Sequence, residues 1–284
     1  MDTLVAALRE ATERLKSSDS PRLDAELLLA HVLQRDRSYL SSHPEVRLDG
    51  TQSTHYAELT AARARGEPIA YLTGKREFWS LDLNVTADTL IPRPETELLV
   101  EQSLARIPLA ADWDILDLGT GSGAIALALA KERPRCRIVA TDLSARSLSV
   151  AESNATRLGL TNLEFIRGDW LTPLAARRFH LIVSNPPYMA LSDPHLSQGD
   201  LRFEPKQALA SGADGLDDIR RIVVGAPSHL HADGMLMLEH GYAQGPQVRG
   251  LLQTAGFDRV RSMRDLSGHE RVSMGDWANP RATR

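Results

Sequence analysis

A chain of 284 residues, 42% hydrophobic and 25% charged, is too apolar for intrinsic disorder and long enough for one large domain and one small one. With 33 basic against 37 acidic residues and a net charge of −4, it lacks the basic excess of a protein held mainly by phosphates. A single cysteine, Cys136, excludes an internal disulfide and, at the start of an apolar run, reads as a small buried residue.

Met1 to Lys16 mix charge and apolar side chains at helical spacing, with no uninterrupted apolar core of signal-peptide length. The longest apolar run near a helix, Ala124 to Ala130, is far too short to span a bilayer. The expectation is a cytoplasmic protein with no membrane contact.

Residues 1–66 read as helices only. Leu4, Val5, Leu8, Thr12 and Leu15 share one face, and Ser20-Pro21 resembles an N-cap followed by proline in the first turn. Leu23, Leu27, Leu28 and Val32 continue the buried side of that second helix. A third helix spans about Ser53 to Arg65, stopped by Gly66 and Pro68. This segment is either a bundle that covers the larger domain or a docking module for a partner; the residues favour neither. Residues 67–89 change character. Tyr71, Phe78, Trp79, Leu81, Leu83 and Val85 give a strand-like rhythm around a Thr73-Gly74-Lys75 turn, a hairpin linker.

From residue 90 to the end the pattern is that of an α/β domain. Leu90-Ile91-Pro92-Arg93-Pro94-Glu95-Thr96-Glu97 is a stiff loop that opens a helix, its acids placed at the positive end of the dipole. Arg93 reads there as a surface charge. Trp113 to Leu118 is a strand, Gly119-Thr120-Gly121-Ser122-Gly123 a glycine loop, and Ala124 to Glu132 a helix. The loop lets backbone approach a ligand closely. It is not a Walker loop, and its spacing misses the dinucleotide fingerprint. Arg137 to Asp142 is a second strand ending in an acid, where a βαβ unit places the carboxylate that accepts from ribose hydroxyls. A helix from Ser144 to Leu158 follows, then a strand, Leu163 to Ile166, ending in Gly168-Asp169-Trp170. An acid and a large ring there suit an adenine, although Trp170 could equally serve the core.

The fourth strand, Phe179 to Val183, runs into Ser184-Asn185-Pro186-Pro187-Tyr188. Two prolines cannot continue a strand, so the chain leaves the sheet at Asn185. An amide side chain, the Pro186 carbonyl, the rigid Pro187 and the flat Tyr188 ring then gather where open α/β sheets bind ligands. They suit a planar group carrying an NH2, such as an amide or a base. A long polar loop containing Phe203-Glu204-Pro205-Lys206 follows, of a length that suggests a binding loop or lid. A helix at about Asp217 to His229, a strand from Gly234 to Glu239, a helix near Gln247 to Ala255 and a strand pair, Val260 to Met263 and Arg271 to Met274, complete the chain. The tail from Ala278 is expected to be mobile. His229 and His231 are the one close histidine pair, without a cysteine or carboxylate cluster beside them, so no metal is expected. No Ser-His-Asp arrangement on a nucleophile elbow is visible.

A glycine loop after one strand, an acid after the next, Asp-Trp after the third and Asn-Pro-Pro-Tyr after the fourth resemble a class I S-adenosylmethionine-dependent methyltransferase. Tyr71-Leu72-x-Gly74, Glu77-Phe78, the Leu90 to Glu97 loop, Asp117 to Gly123 and Phe203-Glu204-Pro205 narrow the resemblance to the protein-glutamine methyltransferases of peptide chain release factors, the HemK/PrmC family. It covers residue 66 onward. The resemblance implies a Rossmann-like domain, a mostly parallel sheet with helices on both faces, over residues 90–284, behind a hairpin linker at 67–89 and a small all-helical domain at 1–66 that docks substrate. It implies S-adenosyl-L-methionine as methyl donor, held by Gly119, Thr120, Gly121, Ser122 and Gly123, with Asp142 at its ribose, Asp169 and Trp170 at its adenine, and Asn185 beside it. It further implies that Asn185, Pro186, Pro187 and Tyr188 bind the glutamine of a release factor's Gly-Gly-Gln motif, with Asn185, Pro186 and Tyr188 catalytic. The implied protein is a monomer that needs no direct nucleic acid. No general base is evident, and the proton can leave after transfer, so the rate is expected to be nearly flat around neutral pH. Two other readings remain open from the residues: a nucleic-acid amine methyltransferase acting on adenine or guanine, and a nicotinamide oxidoreductase or non-catalytic nucleotide binder.

Overall fold

The computed structural model describes residues 3–278. Apart from Ala278, the tail discussed above lies outside that range, as do Met1 and Asp2. The chain divides into two units: one takes it up to Lys75 together with Gln198–Phe203, and the other runs from Arg76 to Ser197 and resumes at Glu204.

The first unit is helical. It holds α1 (Leu4–Arg14), α2 (Pro21–Leu33), α3 (Arg37–Ser42), α4 (Gly50–Ala64) and α5 (Ile69–Thr73). Leu4, Leu8, Leu15, Leu28, Leu29, Leu48 and Tyr56 form its apolar centre. Small residues at Ala7, Ala11, Ala25 and Ala30 are buried among them. Leu4, Leu8, Leu15 and Leu28 are buried as expected, but the buried stripes extend to these alanines and leave Val5 54% and Leu23 39% exposed. Ser20 does precede α2, with Pro21 in the first turn, but its hydroxyl does not cap; it donates to Asp24 at 3.1 Å. α4 starts earlier than expected because Asp49 and Gln52 form a reciprocal capping box, which satisfies two orphan N–H groups. Buried Asp24 accepts from Arg63 Nε at 2.7 Å, and Arg63 Nη1 also reaches Asp200 at 3.2 Å. Arg202 Nη2 donates to the Arg65 carbonyl at 2.6 Å. These contacts tie Gln198–Phe203 into the helical unit.

The rhythm starting at Tyr71 is not a strand. Tyr71 lies in α5, ended by Gly74 in the left-handed conformation (φ 71°). The hairpin comes next: β1 (Lys75–Phe78) and β2 (Leu81–Asn84) form a separate two-stranded sheet. Its turn is Trp79-Ser80, at φ 52° and 54°, rather than Thr73-Gly74-Lys75. A two-residue hairpin loop with both central residues at positive φ matches strand twist. Trp79 holds that conformation while its N–H donates to Glu97 at 2.8 Å and its indole to Glu132 at 3.1 Å.

The second unit is built on a seven-stranded sheet in the order β5-β4-β3-β6-β7-β9-β8. The strands are β3 (Asp114–Leu118), β4 (Arg137–Asp142), β5 (Leu163–Arg167), β6 (Phe179–Ser184), β7 (Leu230–Glu239), β8 (Asp258–Arg264) and β9 (Glu270–Trp277). β5, β4, β3, β6 and β7 run parallel, and β9 pairs antiparallel with both β7 and β8. Helices α6 (Glu97–Leu104), α7 (Ala124–Glu132), α8 (Ala145–Leu158), α9 (Asp217–Gly225) and α10 (Gly245–Thr254) connect or flank the strands. Alternate strand residues feed two cores. Ile115, Ile138, Leu181 and Val183 pack with α6 and α7. Leu116, Val139, Ile182 and Leu236 pack with α9 and α10. Burial on both faces is why β6 reads as a near-continuous apolar run. Strand order reverses at β3, whose neighbours are β4 and β6, and the carboxyl ends there open a crevice.

Candidate active site

A cavity of about 300 Å³ lies in that crevice. Gly119 and Gly121 after β3, Thr141 and Asp142 ending β4, Gly168, Asp169 and Trp170 after β5, and Asn185 and Pro187 after β6 line it. Asp88, Leu90, Leu143 and Ser147 complete one wall, and Pro205, Gln207, Ala208, Ala210, Asp218 and Arg221 another. Thr120, Ser122, Gly123, Pro186 and Tyr188 are not on its wall.

The glycine loop shows why. Gly119, Gly121 and Gly123 all have positive φ, at 72°, 58° and 88°. A Cβ on Gly119 would come within 3.1 Å of the Trp170 ring, while one on Gly121 meets nothing. Gly123 instead permits close helix packing, since a Cβ there would meet Leu127 at 2.9 Å. The Thr120 hydroxyl turns inward and donates to Asp117 at 2.6 Å. Ser122 is buried, and its carbonyl accepts from Asn154 at 3.0 Å. Burial pushes the Asp117 carboxyl up to about 7 despite the Thr120 hydroxyl.

Asp142 accepts from the Gly121 N–H at 2.9 Å and the Ser144 N–H at 2.8 Å. It thereby braces the loop and starts α8, while burial raises its pKa above the ordinary carboxylate value. Asp169 is paired with Arg221 of α9. The Trp170 indole donates to Asp218 at 3.0 Å, which holds the ring beside Gly119 in a backbone conformation (φ 48°) that a bulky residue rarely adopts. Asp218 and Arg221 have no motif signal; only the fold of α9 brings them to the wall.

At the end of β6, the Ser184 hydroxyl donates to the Leu118 carbonyl at 2.7 Å and locks the two central strand ends together. Asn185 is half-buried, and its Nδ2 donates to Thr96 Oγ1 at 3.1 Å. That leaves Oδ1 as the accepting end. Tyr188 packs on the α9 and α10 side. Burial raises its phenol pKa, and nearby Glu239 adds to this. Its carbonyl accepts from Gln244 at 2.9 Å. Glu239, the last residue of β7, is 1% exposed. Thr96 and Asn185 neighbour its carboxyl and act to lower its pKa, and its Oε2 is buried without a hydrogen-bond partner. Burial pushes this carboxyl up to about 7. The sequence reading passed over Glu239, and noted Thr96 only as part of a loop motif.

Arg93 is not a free surface charge. It pairs with Glu204, whose side chain is fully buried. Glu204 Oε2 also accepts from the Ile91 N–H at 3.0 Å. One carboxylate thus links the loop before α6 to the loop after β6, the second of which supplies the Pro205 to Ala210 wall.

Among the described residues, Asp114, His180 and His231 are grouped closely enough to hold a metal ion, at the opposite ends of the strands. Of the histidine pair of the sequence, only His231 belongs to this group, and its companions are distant in the chain. Two of the three are already engaged: Asp114 takes a two-pronged bond from Arg137, and the His180 Nδ1 accepts from the Asp114 N–H at 3.1 Å. A histidine whose Nδ1 accepts carries its proton on Nε2, which is then no lone-pair donor.

This strand order, with ligand-facing glycines, an acid and an aromatic gathered on one cavity, defines a Rossmann-like S-adenosylmethionine-dependent methyltransferase. Comparison with known proteins agrees. Residues 94–201 match the family described as Methyltransferase small domain, and residues 6–74 that described as PrmC N-terminal domain. The chain is 52% identical over 279 residues to a release factor glutamine methyltransferase of Pseudomonas aeruginosa, covering 98% of this chain and 100% of that one. It is 51% identical over 275 residues to one of Xylella fastidiosa, covering 97% and 98%. The chain belongs to the release factor glutamine methyltransferase family. The fold is also that of a methyltransferase from Pyrococcus furiosus, with a TM-score of 0.55 at 17% identity, covering 78% of this chain and 99% of that one.

Proposed function

We propose that this enzyme transfers a methyl group from S-adenosyl-L-methionine to the side-chain amide nitrogen of the glutamine in the Gly-Gly-Gln motif of peptide chain release factors. The donor, when bound, supplies a methyl group on a sulfonium that leaves as a neutral thioether. Gly119 and Gly121 would accept it against bare backbone, Asp142 would take its ribose hydroxyls, and Asp169 and Trp170 would border its adenine. Asn185 would face both donor and acceptor.

The observation that carries this reading is the Asn185 amide. Its nitrogen is engaged by Thr96, so its oxygen is the end available to an incoming N–H on the cavity wall. An amide nitrogen is a weak nucleophile because its lone pair is delocalised into the carbonyl. Acceptors at Asn185 Oδ1 and the Pro186 carbonyl, aimed at its two N–H bonds, would favour the pyramidal nitrogen of the transition state. Positioning would supply much of the remaining rate. Tyr188 would close the amide plane, and the helical unit would contribute to docking. A cytoplasmic monomer is the working form of this proposal.

Mass mapping of methyl groups on a co-expressed release factor tests it. Methylation is expected on the Gly-Gly-Gln glutamine and lost with Asn185→Ala in a folded protein. A hydrogen-bonding site rejects an analogue lacking the bonded group by roughly 10⁴–10⁵, so glutamate at the target should be inert. Labelled methyl appearing on nucleic acid instead would overturn the assignment.

A further inference from the structure

We propose that Glu239 is a positioning residue for the transfer: from behind Asn185 it sets the direction of the hydrogen bonds running through Thr96, and so decides which end of the Asn185 amide faces the cavity. The inference rests on Asn185 being the acceptor for the substrate carboxamide. An asparagine amide is nearly symmetric in shape but not in chemistry. Turned one way, it offers oxygen to a substrate NH2. Turned the other, it opposes NH2 with NH2 and transfer stops.

The neighbours decide between the two. Asn185 Nδ2 donates to Thr96 Oγ1 at 3.1 Å. A hydroxyl carries one proton, and a Thr96 that accepts from Asn185 is free to send that proton onward. Glu239 stands one residue beyond Leu238, which pairs with Ser184, the residue before Asn185. Its carboxyl meets Thr96 and Asn185. An ionised carboxylate only accepts, so it polarises the chain one way: Asn185 to Thr96 to Glu239. Thr96 is 4% exposed and Glu239 1%, so no water competes for these bonds. A buried carboxyl with one oxygen unsatisfied is a poor device for stability. As the fixed end of a directional chain it has a use.

Protonation removes that direction, because a neutral carboxyl can donate to Thr96 and reverse the chain. Burial places the midpoint at about 7. Arg271 of β9 pulls it down, Glu95 of the turn before α6 pushes it up, and the Tyr188 phenol stays protonated. His240, next in the chain, is held toward its neutral form by burial and hydrogen-bonds Ser273. The turnover number therefore falls as pH drops through this range, in place of the flat profile expected from sequence.

The test compares wild type, Glu239→Gln, Thr96→Val and Thr96→Ser with a release factor as acceptor, at saturating donor, from pH 5.5 to 9. Wild type should lose about tenfold per unit on the acid side. Glu239→Gln keeps the shape but supplies a donor. It should drop kcat at pH 8 at least about tenfold, lose the acid limb, and keep KM and donor affinity within about twofold. Thr96→Val should behave alike and Thr96→Ser should be active. The double variant should be no worse than the worse single one, because both break one chain. Turnover of Glu239→Gln or Thr96→Val within twofold of wild type, or an acid limb that survives in Glu239→Gln, overturns the inference. Asn185→Ala separates the two claims. If it is inactive while Glu239→Gln is normal, only the role of Glu239 fails. If Asn185→Ala turns over, the assignment of Asn185 fails first.

Discussion

Asp117 and Asp142 sit under and beside the glycine loop with pKa values raised by burial. A sulfonium donor brings positive charge to this place, and positive charge favours ionised acids. Donor binding should therefore release protons and tighten as pH rises toward about 7. Calorimetry in two buffers of different ionisation enthalpy measures the release directly; identical heats would refute it. A second residue-scale prediction concerns Gly119. Alanine there must hold φ 72° and approach Trp170 at 3.1 Å. Donor affinity should fall about five- to thirtyfold as the donor-free loop relaxes to relieve ~1–2 kcal/mol of left-handed strain, with the circular dichroism unchanged. At this scale the sequence was informative where a residue type is demanded by its backbone, as at Gly119, Gly121 and Asn185. It was silent on Glu239, Asp218 and Arg221, because nothing local marks which buried acid or helix face will meet the cavity.

The elements were legible where large apolar residues set the period. The Arg137–Asp142 strand falls where expected, and α8 and β6 differ by a residue at one end. In α1 and α2 the edge of the buried stripe was misjudged, since alanines share it with Leu4, Leu8 and Leu28 and leave Val5 and Leu23 outside. α5 was misread because five residues are too few to show a helical period against aromatic neighbours. Two loops are coupled as elements by Glu204, which holds both Arg93 and the Ile91 N–H. Glu204→Ala should lower stability by about 2–4 kcal/mol, since it leaves a partly buried cation and a backbone donor unmatched. Glu204→Gln, which keeps an acceptor, should cost less. Urea denaturation measures both, and equal losses would show that shape rather than charge holds the loops.

For the molecule as a whole, two buried acids impose a pH slope on stability. Asp117 and Glu239 ionise near 7 when folded but near 4 when unfolded. Between those values the native state keeps protons that the unfolded chain has lost. Stability therefore declines as pH rises from about 4 to about 7 and levels above it, by an amount on the order of 4 kcal/mol per group. Buried His240, with its pKa lowered, contributes in the opposite sense, so the difference between wild type and Asp117→Asn isolates one acid. Without donor, the stability of that variant relative to wild type should be greater at pH 8 than at pH 5; no change in the difference would argue against a protonated Asp117. In the helical unit, Arg63→Ala should cost about 3 kcal/mol by stranding Asp24, whereas exposed Arg22→Ala should cost less than about 1. The resemblance to a known family gave a mostly parallel sheet, but the strand order was not legible, because periodicity does not say which strands are neighbours.

The membership of Gln198–Phe203 in the helical unit bears on how such a protein can change over generations. The chain passes from one unit to the other after Lys75, again after Ser197, and back after Phe203. A gene fusion that exchanged only the leading segment would strand a loop adapted to the discarded partner, with Asp200 and Arg202 facing strangers. Inheritance should therefore treat the opening helices and this short inner stretch as a linked pair, altered together or not at all.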